Sequence, residues 1–159
     1  MNGRWWLIPL TLVVALMLVM VPLPDAAQPF RPDWVTLVVL YWCIALPQRF
    51  GLSLAWIAGV LLDVAHGTLL GQHALGVVLV AAFALREHQR LRVVPVTQQA
   101  VVVMLLLFGK QALVLWISGM VQRAPENLWL YFASPVLALV FWPIIFGLLR
   151  DLRRRYQVG

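Results

Sequence analysis

The stretch GVLLDVAHGTLLG, residues 59–71, contains one carboxylate, Asp63, within an otherwise apolar run. Glycines stand around it at four-residue steps, as Gly59, Gly67 and Gly71. A carboxylate is costly to place in apolar surroundings unless it is paired or hydrogen-bonded. The pattern therefore predicts a specific role for Asp63, which is an ion or proton site, a contact with a partner, or a contact between packed helices.

The composition of the whole chain places this stretch in a membrane. The chain has 159 residues, of which 63% are hydrophobic and 11% are charged, and its mean hydropathy is +0.90. A soluble domain typically carries about 25% charged residues, so this chain has too few polar side chains to cover a surface that faces water. We predict an integral membrane protein of one domain, residues 1–159.

Six apolar runs predict an all-α polytopic bundle of six transmembrane helices. The predicted spans are 5–21, 34–46, 52–68, 73–85, 99–120 and 129–149. A hydrocarbon core about 30 Å thick requires roughly 20 helical residues. The second and fourth runs are shorter than this, so the alternative is five spans, or a re-entrant segment formed by the third and fourth runs.

The basic residues predict the orientation of the bundle. With six spans and the N-terminus inside, the outer loops hold only Arg31 and Arg123, and Lys110 lies within a span. The other basic residues lie on the inner side: Arg4, Arg49, Arg86, Arg90, Arg92, Arg150, Arg153, Arg154 and Arg155. Cytoplasmic loops carry the excess of Lys and Arg, so both termini are predicted in the cytoplasm, with the chain in a bacterial inner membrane.

Most of these arginines fall in two inner segments, 86–92 and 150–156. We expect both segments to fix the topology and to contact anionic lipid. Docking of an acidic cytoplasmic partner is compatible with the same pattern. No nucleic-acid partner is expected, because the basic residues alternate with hydrophobic runs as topogenic charge does.

Asp63 and Lys110 lie at similar depths in the predicted bundle. Each follows the inner end of its span by about eleven residues, which is roughly 17 Å along a helix. An isolated charge at mid-membrane costs on the order of 2.5–3.5 kcal/mol, and such residues usually face the bundle interior and pair. We predict that the two side chains face each other or share a polar pocket. In the alternative, Lys110 snorkels and Asp63 bonds a neighbouring hydroxyl or backbone group.

The glycines around Asp63 predict close helix packing. Residues four apart lie on one face of a helix, so Gly59, Asp63 and Gly67 form a strip that another helix can approach closely. Alternatively, Gly67 or Gly71 ends the helix and permits a turn.

The chain is not predicted to be an enzyme, and no metal or cofactor is expected. His66 and His73 are seven residues apart without a cysteine or carboxylate cluster beside them, which is a poor zinc pattern. No serine lies near a histidine or lysine in sequence that would activate it. The chain also lacks a glycine-rich phosphate loop.

Four segments, taken in order, resemble MreD, the family of rod-shape-determining membrane proteins. They are FRPDWVTLVVLYWCIALPQRFG (30–51), GVLLDVAHGTLLGQHAL (59–75), QQAVVVMLLL (98–107) and FWPIIFGLLRDLRRRY (141–156). The resemblance implies a non-enzymatic component of the cell-elongation complex, with MreC as the direct partner. MreB, RodZ, RodA and its paired transpeptidase would belong to the same complex. The resemblance also implies a fold similar to the S components of energy-coupling-factor transporters.

The same resemblance supplies candidate site residues. The candidate partner-facing positions are Arg31, Pro32, Asp33, Trp34, Tyr41 and Trp42. Gly59, Asp63, Gly67 and Gly71 also match the family pattern, whereas Lys110 matches none. A competing function is transport, with an S-component-like cavity that opens outward and includes Asp63 among its ligands. The outer halves of the spans are expected to be poor in polar groups, which favours the scaffold.

Overall fold

The computed structural model describes residues 4–122 and 125–158, so Arg123 lies outside the described residues. Within these ranges the chain is helical and contains no strand, which confirms the all-α prediction. The helices are α1 (Leu7–Met20), α2 (Trp34–Ala45), α3 (Leu52–His66), α4 (Gln72–Val93), α5 (Val96–Met120), α6 (Leu128–Tyr131) and α7 (Ala133–Arg155). A single 3₁₀ turn, Gln28–Phe30, precedes α2.

Some helices are longer than the apolar runs that predicted them, because polar residues beyond the run are also helical. α4 continues to Val93, although its apolar run ends near residue 85. Its second half contains Arg, Glu, Gln and Leu, which are good helix formers. The helix ends at Val93, and the next residue, Val94, is extended because Pro95 follows it. Two segments, Val96–Met120 and Leu128–Arg155, are long and apolar enough to cross a membrane, while Leu7–Met20 and Leu52–His66 are shorter apolar helices.

α2 lies at the centre of the bundle and contacts α1, α3, α4 and α7. Its residues 35–44 are all buried, as expected for a helix that is apolar on every face. The indole of Trp42 donates to the Thr11 hydroxyl of α1 at 2.9 Å. Tyr41 and Trp42 are 1% and 0% exposed, so the prediction that they face a partner is wrong.

The other candidate partner-facing residues are also engaged inside the chain. Pro32 is buried, which contradicts its predicted contact with a partner, and Arg31, Asp33 and Trp34 are half-buried. The Arg31 guanidinium donates to the carbonyls of Val19 and Val21, where α1 ends. Because the last carbonyls of a helix have no partner within it, Arg31 acts as a C-terminal cap of α1. The Trp34 ring packs edge-on against Phe141, with 5.2 Å between centroids.

α3 and α4 form the closest helix pair. A Cβ on Gly59 would lie 2.4 Å from the Cα of Ala74, so only glycine permits this approach. Gly67 ends α3 at φ +65°, and Gly71 precedes α4 at φ +99°. Left-handed backbone of this kind favours glycine. Packing is therefore the role of Gly59, whereas Gly67 and Gly71 form the turn.

The first and last described segments of the chain lie at the same end of the bundle. The Arg4 guanidinium lies 5.4 Å from the centroid of the Tyr156 ring, and Trp6 packs edge-on against that ring. Arg49, which follows α2, lies over Trp5 at 3.9 Å. We call this end, which also holds the arginines near the C-terminal ends of α4 and α7, the inner end. The end with the α1–α2 and α3–α4 connections is called the outer end.

Candidate functional site

Asp63 binds the first turn of α4. Its carboxylate accepts from the backbone N–H groups of Gly71 at 2.9 Å, His73 at 2.7 Å and Ala74 at 3.2 Å. It also accepts from the Thr68 hydroxyl at 3.0 Å. The side chain of Asp63 is fully buried, and all of these hydrogen-bond donors belong to the same chain.

This geometry explains how an aspartate is tolerated in an apolar run. The first N–H groups of a helix have no partner within it, and an anion is stabilised at a helix N-terminus. Hydrogen bonds to an ionised acceptor are also stronger than neutral ones. Asp63 of α3 therefore caps α4 from the preceding helix and fixes the α3–α4 hairpin.

Lys110 pairs with Asp33 and not with Asp63. The Lys110 ammonium donates to the Asp33 carboxylate and, at 2.9 Å, to the Thr36 hydroxyl. The predicted pair with Asp63 is wrong because backbone donors already occupy that carboxylate. The stem of Lys110 instead crosses α4 at Gly76, where a Cβ would lie 2.7 Å from the lysine Cγ.

Asp33 has a second structural role, as the N-cap of α2. Its side chain accepts from the Thr36 N–H at 3.3 Å. Burial favours the neutral acid, but the Lys110 charge and the hydrogen bonds from Lys110 and Thr36 together outweigh burial, so the pKa of Asp33 lies below its ordinary value. The carboxylate therefore stays ionised at neutral pH and joins the start of α2 to the middle of α5.

The two outer histidines stack beside the Asp63 cap. The rings of His66 and His73 are 4.9 Å apart and nearly parallel. His73 Nδ1 lies 2.9 Å from the Asp63 carboxylate, and His66 Nδ1 lies 3.1 Å from the Leu62 carbonyl oxygen. Across residues 4–122 and 125–158, no three His, Cys, Asp or Glu side chains are grouped as metal ligands.

These groups open onto a cavity of about 490 Å³ at the outer end, here called the outer cavity. Its polar lining comes from separate elements: Gln28, Arg31, Asp33, His66, His73, Lys110, Gln111, Asn127, Tyr131 and Ser134. The expectation that the outer halves are poor in polar groups is therefore wrong. Sequence reasoning missed this convergence because residues from the α1–α2 connection, α5 and α7 meet only in the folded chain. An aspartate directly before an apolar helix, as in RPDW, was the available signal of an N-cap.

The seven arginines of the two inner segments, 86–92 and 150–156, separate into two groups by whether they line a cavity. Arg86 and Arg90 approach Glu87 at 3.9 Å and 3.2 Å, and Arg154 and Arg155 are exposed. The remaining three line a second cavity, of about 350 Å³, together with side chains of α2, α5 and α7. They are Arg92, Arg150 and Arg153, and this space is here called the inner cavity.

Comparison with known proteins places the chain among cell-shape proteins. Residues 1–152 match the family described as rod shape-determining protein MreD. The chain belongs to the MreD family. The rod shape-determining protein MreD of Haemophilus influenzae (strain ATCC 51907 / DSM 11121 / KW20 / Rd) is 26% identical over 155 residues, which cover 98% of this chain and 95% of that protein. No solved structure matches the chain.

Membership in the MreD family confirms the resemblance drawn from the four sequence segments. MreD proteins are membrane proteins that determine rod shape, and the family is not one of known enzymes. The match includes the RPDW segment, the α3–α4 hairpin with its Asp63 cap and the start of the inner arginine segment of α7. The function of this chain therefore lies in cell-shape determination at the membrane.

Proposed function

We propose that this MreD-family protein is a non-enzymatic, multi-pass scaffold of the rod complex in the bacterial inner membrane. It associates directly with MreC and thereby belongs to a complex with MreB, RodZ, RodA and the paired transpeptidase. Through this association it regulates lateral peptidoglycan synthesis. The observation that carries the proposal is the family match over residues 1–152.

The buried charges support a scaffold because their contacts hold helices together. Asp63 joins α3 to α4, and the Lys110–Asp33 pair joins α5 to the start of α2. These bonds are made within the chain and leave a fixed frame on which outer surfaces can be presented.

The outer hairpin, residues 22–33, is one such surface. Arg31 is bonded to the end of α1, and the Ser134 hydroxyl of α7 donates to the Arg31 carbonyl at 2.7 Å. The hairpin exposes Phe30, which is 50% accessible. A fixed backbone that presents an exposed aromatic ring suits contact with the periplasmic part of MreC.

The lateral face of α1 and α3 supports the contact within the membrane. α1 exposes Val13 and Met17 while it buries Ala15, and it packs beside α3, which exposes Ile57 and Leu61. These neighbouring apolar faces fit the single transmembrane helix of MreC. Association of helices in lipid depends on such close side-chain packing.

A crosslinking scan tests the scaffold. Single cysteines at Phe30, Met17 and Leu61 are expected to form adducts with cysteines in MreC in growing cells. The native Cys43 is fully buried, so the unsubstituted chain serves as the background. Leu105 and Leu148, each 60% exposed on α5 and α7, provide matched controls on other faces. If none of the cysteines at Phe30, Met17 and Leu61 forms an adduct with MreC, the proposed scaffold function is wrong.

The outer cavity favours a second function, the binding of a small molecule as in a transporter S component. Ligand sites combine an apolar wall with a few convergent polar groups, and this cavity places Lys110, Gln111 and Tyr131 around one space. Native mass spectrometry of the purified chain tests this function. A retained small molecule that is lost in the Asp33→Asn/Lys110→Met double variant would support it, and absence of any retained molecule would exclude it.

A further inference from the structure

The inner cavity gathers positive charge from parts of the chain that are distant in sequence. Arg92 lies in the last turn of α4, while Arg150 and Arg153 are one turn apart on α7. No carboxylate lines the cavity, whose other lining residues are Tyr41, Ile44, Ala45, Gln99 and Phe146. Among the described residues, none of the three arginines forms an ion pair with Asp or Glu.

Part of this charge is already fixed in place by backbone bonds. Arg92 donates to the carbonyls of Ile44 and Ala45 at 2.7 Å each, and Arg153 donates to the Ala45 carbonyl at 3.4 Å. These bonds cap the end of α2. A guanidinium carries five N–H donors, so each side chain keeps donors beyond those that bind the helix. Arg92 and Arg153 are thus pre-oriented around the cavity, whereas Arg150 is exposed and free of such bonds among the described residues.

Tyr41 adds a further polar group to the wall of the inner cavity. Its side chain is 1% exposed and lines the inner cavity, and its ring is fixed edge-on against Phe146 at 5.6 Å. Within residues 4–122 and 125–158, its hydroxyl makes no hydrogen bond. The hydroxyl is not one of the fully buried atoms that lack a partner, so it keeps its accessible surface on the cavity and can bond a polar group that enters there.

We propose that the inner cavity is a binding site for a phosphate group, held by Arg92, Arg150, Arg153 and the Tyr41 hydroxyl. Arginine donors match phosphate oxygens in geometry as well as charge. The cavity lies where α2, α4 and α7 end. In the multi-pass arrangement of the proposed function, this end of the bundle lies at the lipid headgroups. An anionic phospholipid and a soluble phosphate both carry the required chemistry. This proposal assigns binding to four specific residues, whereas the expected contact with anionic lipid involved the two arginine segments as a whole. The proposal does not depend on binding to MreC.

Two ligand arms distinguish the sources. The purified full chain is placed in dodecyl maltoside micelles, which contain no phosphate, with phosphatidylglycerol added in one arm and inorganic phosphate in the other. Bound lipid is measured by native mass spectrometry, and the shift in Tm is measured in both arms. Binding in either arm that depends on the cavity residues supports the site and names the source, and binding in neither arm overturns it.

A pair of double variants separates the site from general electrostatics. Arg150→Gln/Arg153→Gln removes two charges that line the inner cavity, and Arg154→Gln/Arg155→Gln removes two charges from the same helix end that do not line it. The first is expected to weaken binding roughly tenfold or more, since bonds to a charged group are the stronger ones, whereas the second changes it little. Equal losses in the two variants would overturn the proposal.

Two single variants keep the test valid if Arg153→Gln lowers stability through its bond to Ala45. Tyr41→Phe and Arg150→Gln remove no hydrogen bond of the described structure. Each is expected to reduce binding several-fold while Tm without ligand stays near that of the unsubstituted chain. Unchanged binding in both would overturn the site.

Discussion

Asp63 carries a negative charge into a helix pair because the first turn of α4 supplies the donors that water would otherwise provide. Three backbone N–H groups and one hydroxyl bind its carboxylate. No mobile proton or cation is needed to stabilise it. The role of an intramembrane carboxylate thus depends on which hydrogen-bond donors reach it. The position of the residue along its predicted span does not reveal those donors.

We predict that Asp63→Asn destabilises the fold by about 1–3 kcal/mol, because an amide leaves buried backbone donors without acceptors. The measurement is thermal unfolding of the purified chain in detergent. Asp25→Asn is the control, since Asp25 is an exposed carboxylate of the outer hairpin. Equal Tm values for the two variants would show that Asp63 is not a structural cap.

A double-mutant cycle tests the partner of Lys110. Lys110→Met leaves the Asp33 carboxylate without its cation, and Asp33→Asn in the same chain removes the unpaired charge. We expect a coupling of about 1–3 kcal/mol between these two positions. Lys110→Met and Asp63→Asn should instead be additive within about 0.5 kcal/mol. Strong coupling to Asp63 in urea or thermal unfolding would contradict the observed pairing.

At this scale the sequence predicted which residues are special but not their partners. Asp63, Gly59 and Lys110 were singled out correctly as polar or small residues in apolar runs. Lys110 and Asp33 are 77 residues apart, so no local pattern connects them. Tyr41 and Trp42 were assigned to a partner surface because they match the family pattern, whereas they fill the centre of the bundle.

At the scale of elements, the α3–α4 hairpin depends on one close approach and one cap. The turn glycines permit the reversal, Asp63 binds the start of α4, and Gly59 lets the two helices meet. The four-residue glycine spacing predicted both packing and turn formation as alternatives. Each proves true for a different glycine, which spacing could not decide because it contains no information on where the helix ends.

Gly59→Ala is expected to destabilise the chain by about 1–3 kcal/mol, the usual cost of overpacking, because its Cβ would collide with the backbone of Ala74. Gly109→Ala is the matched control on α5, where nothing lies within 4 Å of the added Cβ. It is expected to be neutral or stabilising, since Ala exceeds Gly in helix propensity. Thermal unfolding of both variants decides the point, and similar losses would show that close packing is not the role of Gly59.

At the scale of the whole molecule, the six apolar runs predicted where helices form but not how the helices pack against one another. The all-helical fold follows from composition and run length. The central position of α2 follows from its apolar faces only in retrospect, because a lipid-facing helix has the same composition. The two cavities could not be predicted from the sequence either, because each is formed by residues from at least three elements.

The position of the chain ends leads to a prediction about the membrane. Arg4 and Tyr156 lie together at the inner end, which requires an even number of crossings if the bundle spans the membrane. The outer end then holds Asp25 and Gln122, and the inner end holds Gln89 and Gln157, all of them exposed.

With the excess of arginine inside, we expect a membrane-impermeant maleimide to label Asp25→Cys and Gln122→Cys in intact cells. Gln89→Cys and Gln157→Cys should be labelled only after permeabilisation. Cys43 is fully buried, so the unsubstituted chain should stay unlabelled in both conditions. Labelling of Gln157→Cys in intact cells would contradict the shared inner position of the two ends, because an odd number of crossings would then be required.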